Sequence, residues 1–239
     1  MEPKKQKRCK CLRKINQDHC KMIHIVLNTK TTGFRCRYTN HGCVQSFDCA
    51  EIFAHEVDCA HRIVPCPWNG LENPSKCKSK VKFQHVLQHL TVKHNAKLPK
   101  ITLGDPFVFP GHKNWSFVEP SKIEFDGKVF IDNIRIVNGK LCHWVICIGT
   151  PKDAEKYYFG IQYQGSKSHS GFIGFVASVD TAWDEILKNY QCYVMDYEVF
   201  KVQHLNEDRN FHYSVQMKKV GVDQPPGYEV SVALEQMNV

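Results

Sequence analysis

The sequence predicts a mainly β protein in two parts: a small α+β module rich in cysteine and histidine, followed by an antiparallel β-sandwich with one short helix. Cysteines and histidines recur at regular spacing between residues 36 and 94, and short apolar runs separated by turn residues fill residues 107–217. We predict a basic segment over residues 1–33, the module over 34–97, the sandwich over 98–220 and a tail or edge strand over 221–239.

Charge is distributed unevenly along the 239 residues. Residues 1–100 carry a net charge of +12 and residues 101–239 a net charge of −4, which together give +8. A basic half is compatible with nucleic-acid binding, but solvation of a small module with little apolar surface explains it as well, and we favour solvation.

No segment has the pattern of a secretory signal or of a membrane span. The N-terminus lacks an apolar core, and the apolar runs are far shorter than the roughly 20 residues that cross a bilayer. We therefore expect a cytoplasmic protein without a membrane partner. Residues 4–8, Lys-Lys-Gln-Lys-Arg, also fit a nuclear localisation signal, with a solvated tail as the alternative.

Eight cysteines and histidines form two sets of four, with eleven residues between the second and third members of each. The sets are Cys36, Cys43, His55 and Cys59, and Cys66, Cys77, His89 and His94. Four such ligands make the closed tetrahedron that Zn²⁺ adopts in structural sites, without the open position that catalysis requires. We predict two structural zinc ions and no catalytic residues. A disulfide framework is disfavoured because reducing compartments keep thiols free.

The last two members of each set fall on a predicted helix. Apolar residues at 52, 53 and 57 indicate a helix on which His55 and Cys59 share one face. A second apolar stripe leads to His89 and His94. His85 is an alternative ligand because it lies one turn before His89, but the repeated eleven-residue gap favours His89 with His94.

Short strands with frequent turns are typical of a β-sandwich. Asn138-Gly139 between two apolar runs predicts a two-residue hairpin. Residues 181–189, after Asp180, predict the single helix. The predicted strands are residues 107–109, 115–118, 128–137, 141–148, 157–163, 172–176, 192–195 and 211–217.

The two metal sets followed by a sandwich resemble the seven-in-absentia (Siah) family of ubiquitin ligases. The first set matches the family's gaps of six, eleven and three residues, and the second differs only in having ten residues where the family has six. Phe109-Pro110-Gly111, Asn114-Trp115-Ser116-Phe117 and the stretch 149–155 are similar to further family segments.

This resemblance implies a sandwich of the TRAF-like type that dimerises with itself or with Siah relatives. Such a sandwich binds target proteins through short extended peptides along a strand edge, for ubiquitin-dependent proteasomal degradation. The resemblance implies that Trp115 and Phe117 line the peptide groove, although a core position is an alternative for Trp115.

The resemblance also implies a RING that recruits a ubiquitin-conjugating enzyme, but residues 8–15 match only the end of one. Cys9, Cys11, His19 and Cys20 are too few to complete a cross-braced RING. We therefore expect a substrate-recognition protein, which would need the conjugating enzyme only if it is itself a ligase. The alternatives are an active ligase with a divergent N-terminus and, less favoured, a nucleic-acid-binding zinc protein.

Overall fold

The computed structural model of the chain describes residues 33–48, 51–69, 77–109, 119–165 and 169–221. These residues form two compact units, of which the first ends at Asn95 and the second begins at Ala96. The predicted RING remnant, the nuclear signal and the segment after Gly221 lie outside the described residues, and so do Trp115 and Phe117.

The first unit consists of two short antiparallel ribbons, each followed by a helix. Its elements are β1 (Phe34–Arg35), a 3-10 helix (Thr39–His41), β2 (Ser46–Phe47), α1 (Ile52–Asp58), β3 (Ile63–Pro65), β4 (Lys80–Lys82), a second 3-10 helix (Phe83–His85) and α2 (Val86–Lys93). Strand β1 pairs with β2, and β3 with β4. Few apolar side chains are buried, chiefly Ile52, Val64, Val86 and Leu90, which is little for independent folding.

The second unit is a β-sandwich. Its elements are β5 (Phe107–Phe109), β6 (Ser121–Phe125), β7 (Lys128–Val137), β8 (Lys140–Cys147), α3 (Pro151–Ala154), β9 (Tyr157–Gln164), β10 (His169–Phe175), β11 (Ala177–Ser178), α4 (Trp183–Lys188), β12 (Tyr193–Asp196), α5 (Tyr197–His204) and β13 (Phe211–Lys219). One sheet has the order β10–β9–β13–β5, and the other has the order β6–β7–β8, with β11 and β12 sharing the far side of β8. All pairs are antiparallel except the short pair of β11 and β8.

The two sheets share one hydrophobic core. Phe159 and Ile161 of β9 and Val215 of β13 face Phe130 and Ile134 of β7 in a single cluster. Inward and outward residues alternate along β9, as the period of two in its sequence predicts. The mainly β fold with an antiparallel sandwich is therefore confirmed.

The described residues of the sandwich include three helices where the sequence analysis predicted one. The predicted helix is α4, whereas α3 and α5 are additional, and none of the described helices is long and apolar enough to cross a membrane. Helix α5 was missed because the apolar run of β12 continues past Asp196. There the Asp196 carboxylate accepts hydrogen bonds from the backbone N–H groups of Glu198 (2.9 Å) and Val199 (3.2 Å). This cap begins the helix and ends the strand.

The predicted hairpin between β7 and β8 turns at Asn138 and Gly139, with φ of 50° and 75°. A Cβ atom added to Gly139 would meet no atom within 4 Å. Any loss of stability on adding a side chain therefore comes from the positive φ of the backbone and not from a clash. We expect Gly139→Val to lower the free energy of unfolding by about 1–2 kcal/mol, as measured by urea unfolding. Asn138→Gly should change it by less than about 1 kcal/mol, and equal losses in both variants would contradict this explanation.

Candidate metal centres

The first cluster brings together Cys36, Cys43, His55 and Cys59. Cys36 follows β1, Cys43 follows a left-handed turn at Gly42, and α1 supplies His55 and ends at Cys59. The four ligand atoms all lie within 4.8 Å of one another. The Cys36 and Cys59 Sγ atoms are 3.8 Å apart, and Cys43 Sγ is 3.4 Å from His55 Nε2.

The second cluster brings together Cys66, Cys77, His89 and His94 in the same way. Cys66 follows β3, Cys77 precedes β4, His89 lies within α2, and His94 caps the end of that helix. Cys66 Sγ is 3.2 Å from His94 Nε2, and Cys77 Sγ is 3.5 Å from His89 Nε2. The two Nε2 atoms are 3.2 Å apart.

These distances match the edges of a zinc tetrahedron. Zn–S bonds of about 2.3 Å and Zn–N bonds of about 2.0–2.1 Å give S–S, S–N and N–N edges of about 3.8, 3.6 and 3.3 Å. Each measured distance lies within about 0.4 Å of the corresponding edge. Both donor sets consist of thiols and imidazoles, so the two clusters can hold two zinc ions as cofactors.

Aromatic side chains orient two of the imidazoles. Phe47 stacks on His55 at a ring-centroid distance of 4.2 Å, and the edge of Trp68 contacts His94 at 4.8 Å. Trp68 is buried. Restricting ring rotation in this way directs each Nε2 atom toward the thiols of its cluster.

Burial favours the uncharged form of both residue types. It raises the pKa of the Cys36 thiol to about 12 and also raises the pKa of Cys59, so these thiols keep their protons near pH 7 without a metal and must release them when zinc binds. Burial lowers the pKa of His55 and of His89. The two imidazoles are therefore neutral near pH 7, which is the form that coordinates zinc.

The structure does not bring His85 into the second cluster. His85 is exposed at the end of a 3-10 helix, and its Nε2 atom lies 3.5 Å from the side-chain nitrogen of Gln84. His89 and His94 occupy the positions next to the thiols.

Sequence reasoning missed a buried polar cluster between the two sheets. His143 Nε2 lies 2.6 Å from Asp132 Oδ1, and His143 Nδ1 lies 2.5 Å from the Tyr163 hydroxyl. The Tyr213 hydroxyl donates to Asp132 Oδ2 at 2.8 Å. All four side chains are buried. The neighbouring Cys142 is not part of this cluster, because successive side chains of a strand point to opposite faces.

Known proteins resemble this chain over the metal clusters and beyond them. Residues 29–109 match the family model described as "Sina, zinc finger". The "E3 ubiquitin-protein ligase siah2" of Xenopus laevis is 26% identical over 172 residues, which is 68% of this chain and 53% of that protein. The "E3 ubiquitin-protein ligase sina" of Schistosoma mansoni is 22% identical over 188 residues, which is 76% of this chain and 49% of that protein. The chain thus spans about half the length of the curated relatives it matches.

Proposed function

Because the chain belongs to the seven-in-absentia (Siah/Sina) family, we propose that it recognises target proteins for ubiquitin-dependent degradation. The observation that carries this proposal is the match of residues 29–109 to the Sina zinc finger, over which eight cysteines and histidines assemble into two tetrahedral sets. The two relatives bear the name of ubiquitin-protein ligases, and the pathway comes to this chain through that likeness.

In this proposal the eight clustered residues are the zinc ligands, and both ions are structural. Each set supplies four protein ligands, so a bound ion keeps no position for water or substrate. When bound, zinc joins a ribbon to a helix that otherwise share few buried apolar side chains. The thiols and imidazoles hold the ion, and the surrounding aromatic rings fix their orientation.

Targets would bind as extended peptides along an edge of the sandwich. In the described part of the four-stranded sheet, β5 and β10 are the outer strands. Strand β10 exposes Ile173 and Phe175, by 60% and 55%. The backbone of an outer strand can pair with a peptide, while nearby side chains select its sequence. Trp115 and Phe117, a few residues after β5, remain the proposed groove residues.

In this proposal the chain acts as an adaptor or competitor, alone or as a dimer with a RING-bearing relative. Its compartment would be the cytoplasm and, if the basic segment is a nuclear signal, also the nucleus. A ubiquitin-conjugating enzyme is a partner only in the alternative in which the chain is itself an active ligase.

The test measures ubiquitin chains formed by the purified, zinc-loaded full chain with a conjugating enzyme, with and without a RING-bearing Siah relative and one of its targets. We expect no chains from this protein alone and suppressed modification of the shared target when both proteins are present. The double variant Trp115→Ala/Phe117→Ala should lose the suppression. Chain formation by the protein alone would establish the ligase alternative, and unchanged modification of the target would overturn the recognition role.

A further inference from the structure

A row of lysines runs along β4, the strand that begins just after Cys77 of the second cluster. Lys80 and Lys82 occupy alternate positions of this strand, and Lys78 continues the alternation before it. Val81 between them is buried, so the lysine side chains lie on the opposite, solvent-facing side. At about 3.3 Å per residue, successive ammonium groups project from positions about 7 Å apart.

The described residues of the first unit do not neutralise this row. Its Glu56 is engaged by Arg37, through a 2.6 Å bond from the Arg37 backbone N–H and a 3.4 Å ion pair. In the portion of the chain that the structure describes, no carboxylate forms an ion pair with Lys78, Lys80 or Lys82. A zinc ion held by two thiolates and two neutral imidazoles has no net charge, so the adjacent cluster would not balance the row either.

The backbone of the same three lysines points away from the ribbon. The Cys66 N–H donates to the Ser79 carbonyl at 3.0 Å, and the Phe83 N–H donates to the Arg62 carbonyl at 2.9 Å. Hydrogen-bonded pairs recur at every second residue of an antiparallel ribbon. Ser79, Val81 and Phe83 therefore face β3, while Lys80 and Lys82 direct their N–H and C=O groups to the opposite edge. No other described strand pairs with that edge.

We propose that this edge of β4 binds an extended acidic peptide of a partner protein, in which acidic residues alternate with uncharged ones. An antiparallel peptide that pairs with Lys80 and Lys82 through its backbone would place every second side chain directly opposite a lysine. One register thus satisfies both the backbone hydrogen bonds and the charge pairs. Nucleic acid fits less well, because a phosphate backbone cannot donate to the outward carbonyl groups. The proposal is independent of the peptide edge proposed for the sandwich.

The test uses the zinc-loaded full chain and synthetic peptides of about seven residues, long enough to run beside residues 78–82. In the first peptide, glutamate alternates with threonine. A second peptide has the same composition with its glutamates in one block. We expect the alternating peptide to bind about tenfold more tightly at physiological ionic strength, because only its charges are in register with the lysines.

A charge-reversal variant tests the residues. Lys80→Glu/Lys82→Glu should weaken the alternating glutamate peptide by about tenfold or more and should gain affinity for a peptide in which lysine alternates with threonine. The matched control, Lys140→Glu/Lys188→Glu, makes the same change of net charge at two exposed residues of the sandwich and should leave both affinities unchanged. Equal weakening of peptide binding in the two variants would show that affinity depends on net charge alone and would overturn the proposed site.

N-methylation of the peptide tests backbone pairing. Methylating the glutamate N–H groups, which would face β4, should abolish binding, whereas methylating the threonine N–H groups should not. If neither modification matters, the peptide does not add to the strand and the proposal is wrong. Tighter binding of a DNA oligonucleotide of equal charge, with displacement of the peptide, would overturn it in favour of nucleic acid.

Discussion

Substituting Cys36 with serine is expected to release the first zinc ion and to unfold the first ribbon and α1, while the sandwich stays folded. In zinc-finger peptides, metal binding supplies about 10–16 kcal/mol of folding free energy, which exceeds the net stability of most domains. Few apolar side chains are buried around this cluster, and the main one is Ile52. Zinc content should fall from two ions per chain to one, and hydrogen exchange should accelerate over residues 34–59.

Cys142→Ser is the matched control for this experiment. Cys142 is as buried as the ligand thiols but lies in the sandwich, outside both clusters. The control should therefore keep two zinc ions and slow exchange over residues 34–59. Retention of both ions in the Cys36→Ser protein, or loss of one in the control, would contradict the ligand assignment.

The sequence sufficed to predict both metal clusters because their constraint is local. His55 and Cys59 lie on one face of a short helix, and the two remaining thiols flank a turn, so the 24 residues from Cys36 to Cys59 determine the first cluster. The repeated eleven-residue gap also favoured His89 and His94 over His85. Spacing of this kind is informative because a tetrahedral ion accepts few chain geometries.

The positions of the strands along the chain could be predicted, but which strands pair with each other mostly could not. Residues 128–137 were predicted as a strand and form β7, and the Asn138-Gly139 turn fixes its pairing with β8. The pairing of β13 with β9 joins residues far apart in sequence, and no local signal specifies it. Helix α5 was missed because its cap at Asp196 interrupts an apolar run, and α3 was missed because its four residues follow the Thr150 cap within a polar segment between two strands.

Along β7, the apolar alternation of Val129 and Ile131 shifts by one residue before Ile134 and Ile136. Ile131 and Ile134 lie on opposite faces of the strand, yet both are buried because the sheet is covered on both sides at this position. The register with β8 continues without interruption from Phe130 to Val137. An inward Asp132 between Phe130 and Ile134 is unexpected from periodicity alone, because its partners His143 and Tyr213 come from two other strands.

Replacing Asp132 with alanine is expected to lower the free energy of unfolding of the sandwich by about 3–5 kcal/mol. The Asp132 carboxylate accepts from His143 Nε2 and from the Tyr213 hydroxyl. Burial raises the pKa of Tyr163 and of Tyr213 well above the usual value, so both phenols stay protonated and donate. With its proton on Nε2, toward the carboxylate, His143 accepts from Tyr163 at Nδ1, and every member of the cluster has a partner.

Urea unfolding of the Asp132→Ala protein measures this loss, with Asp208→Ala as the control. Asp208 is exposed in a turn of the sandwich, and its substitution should change stability by about 0.5 kcal/mol at most. A similar small loss for both variants would contradict the cost assigned to the cluster.

A double-mutant cycle with Tyr213→Phe separates hydrogen bonding from packing. If the carboxylate acts through its bond to the Tyr213 hydroxyl, the two substitutions should be coupled by about 0.5–3 kcal/mol. Once one partner of the bond is removed, substituting the other lowers the free energy of unfolding by less. Additive losses would mean that Asp132 does not stabilise the sandwich through the Tyr213 hydroxyl. Coupling would mean that a polar connection between the two sheets, invisible in the hydrophobic pattern, helps to determine how β7 and β13 face each other.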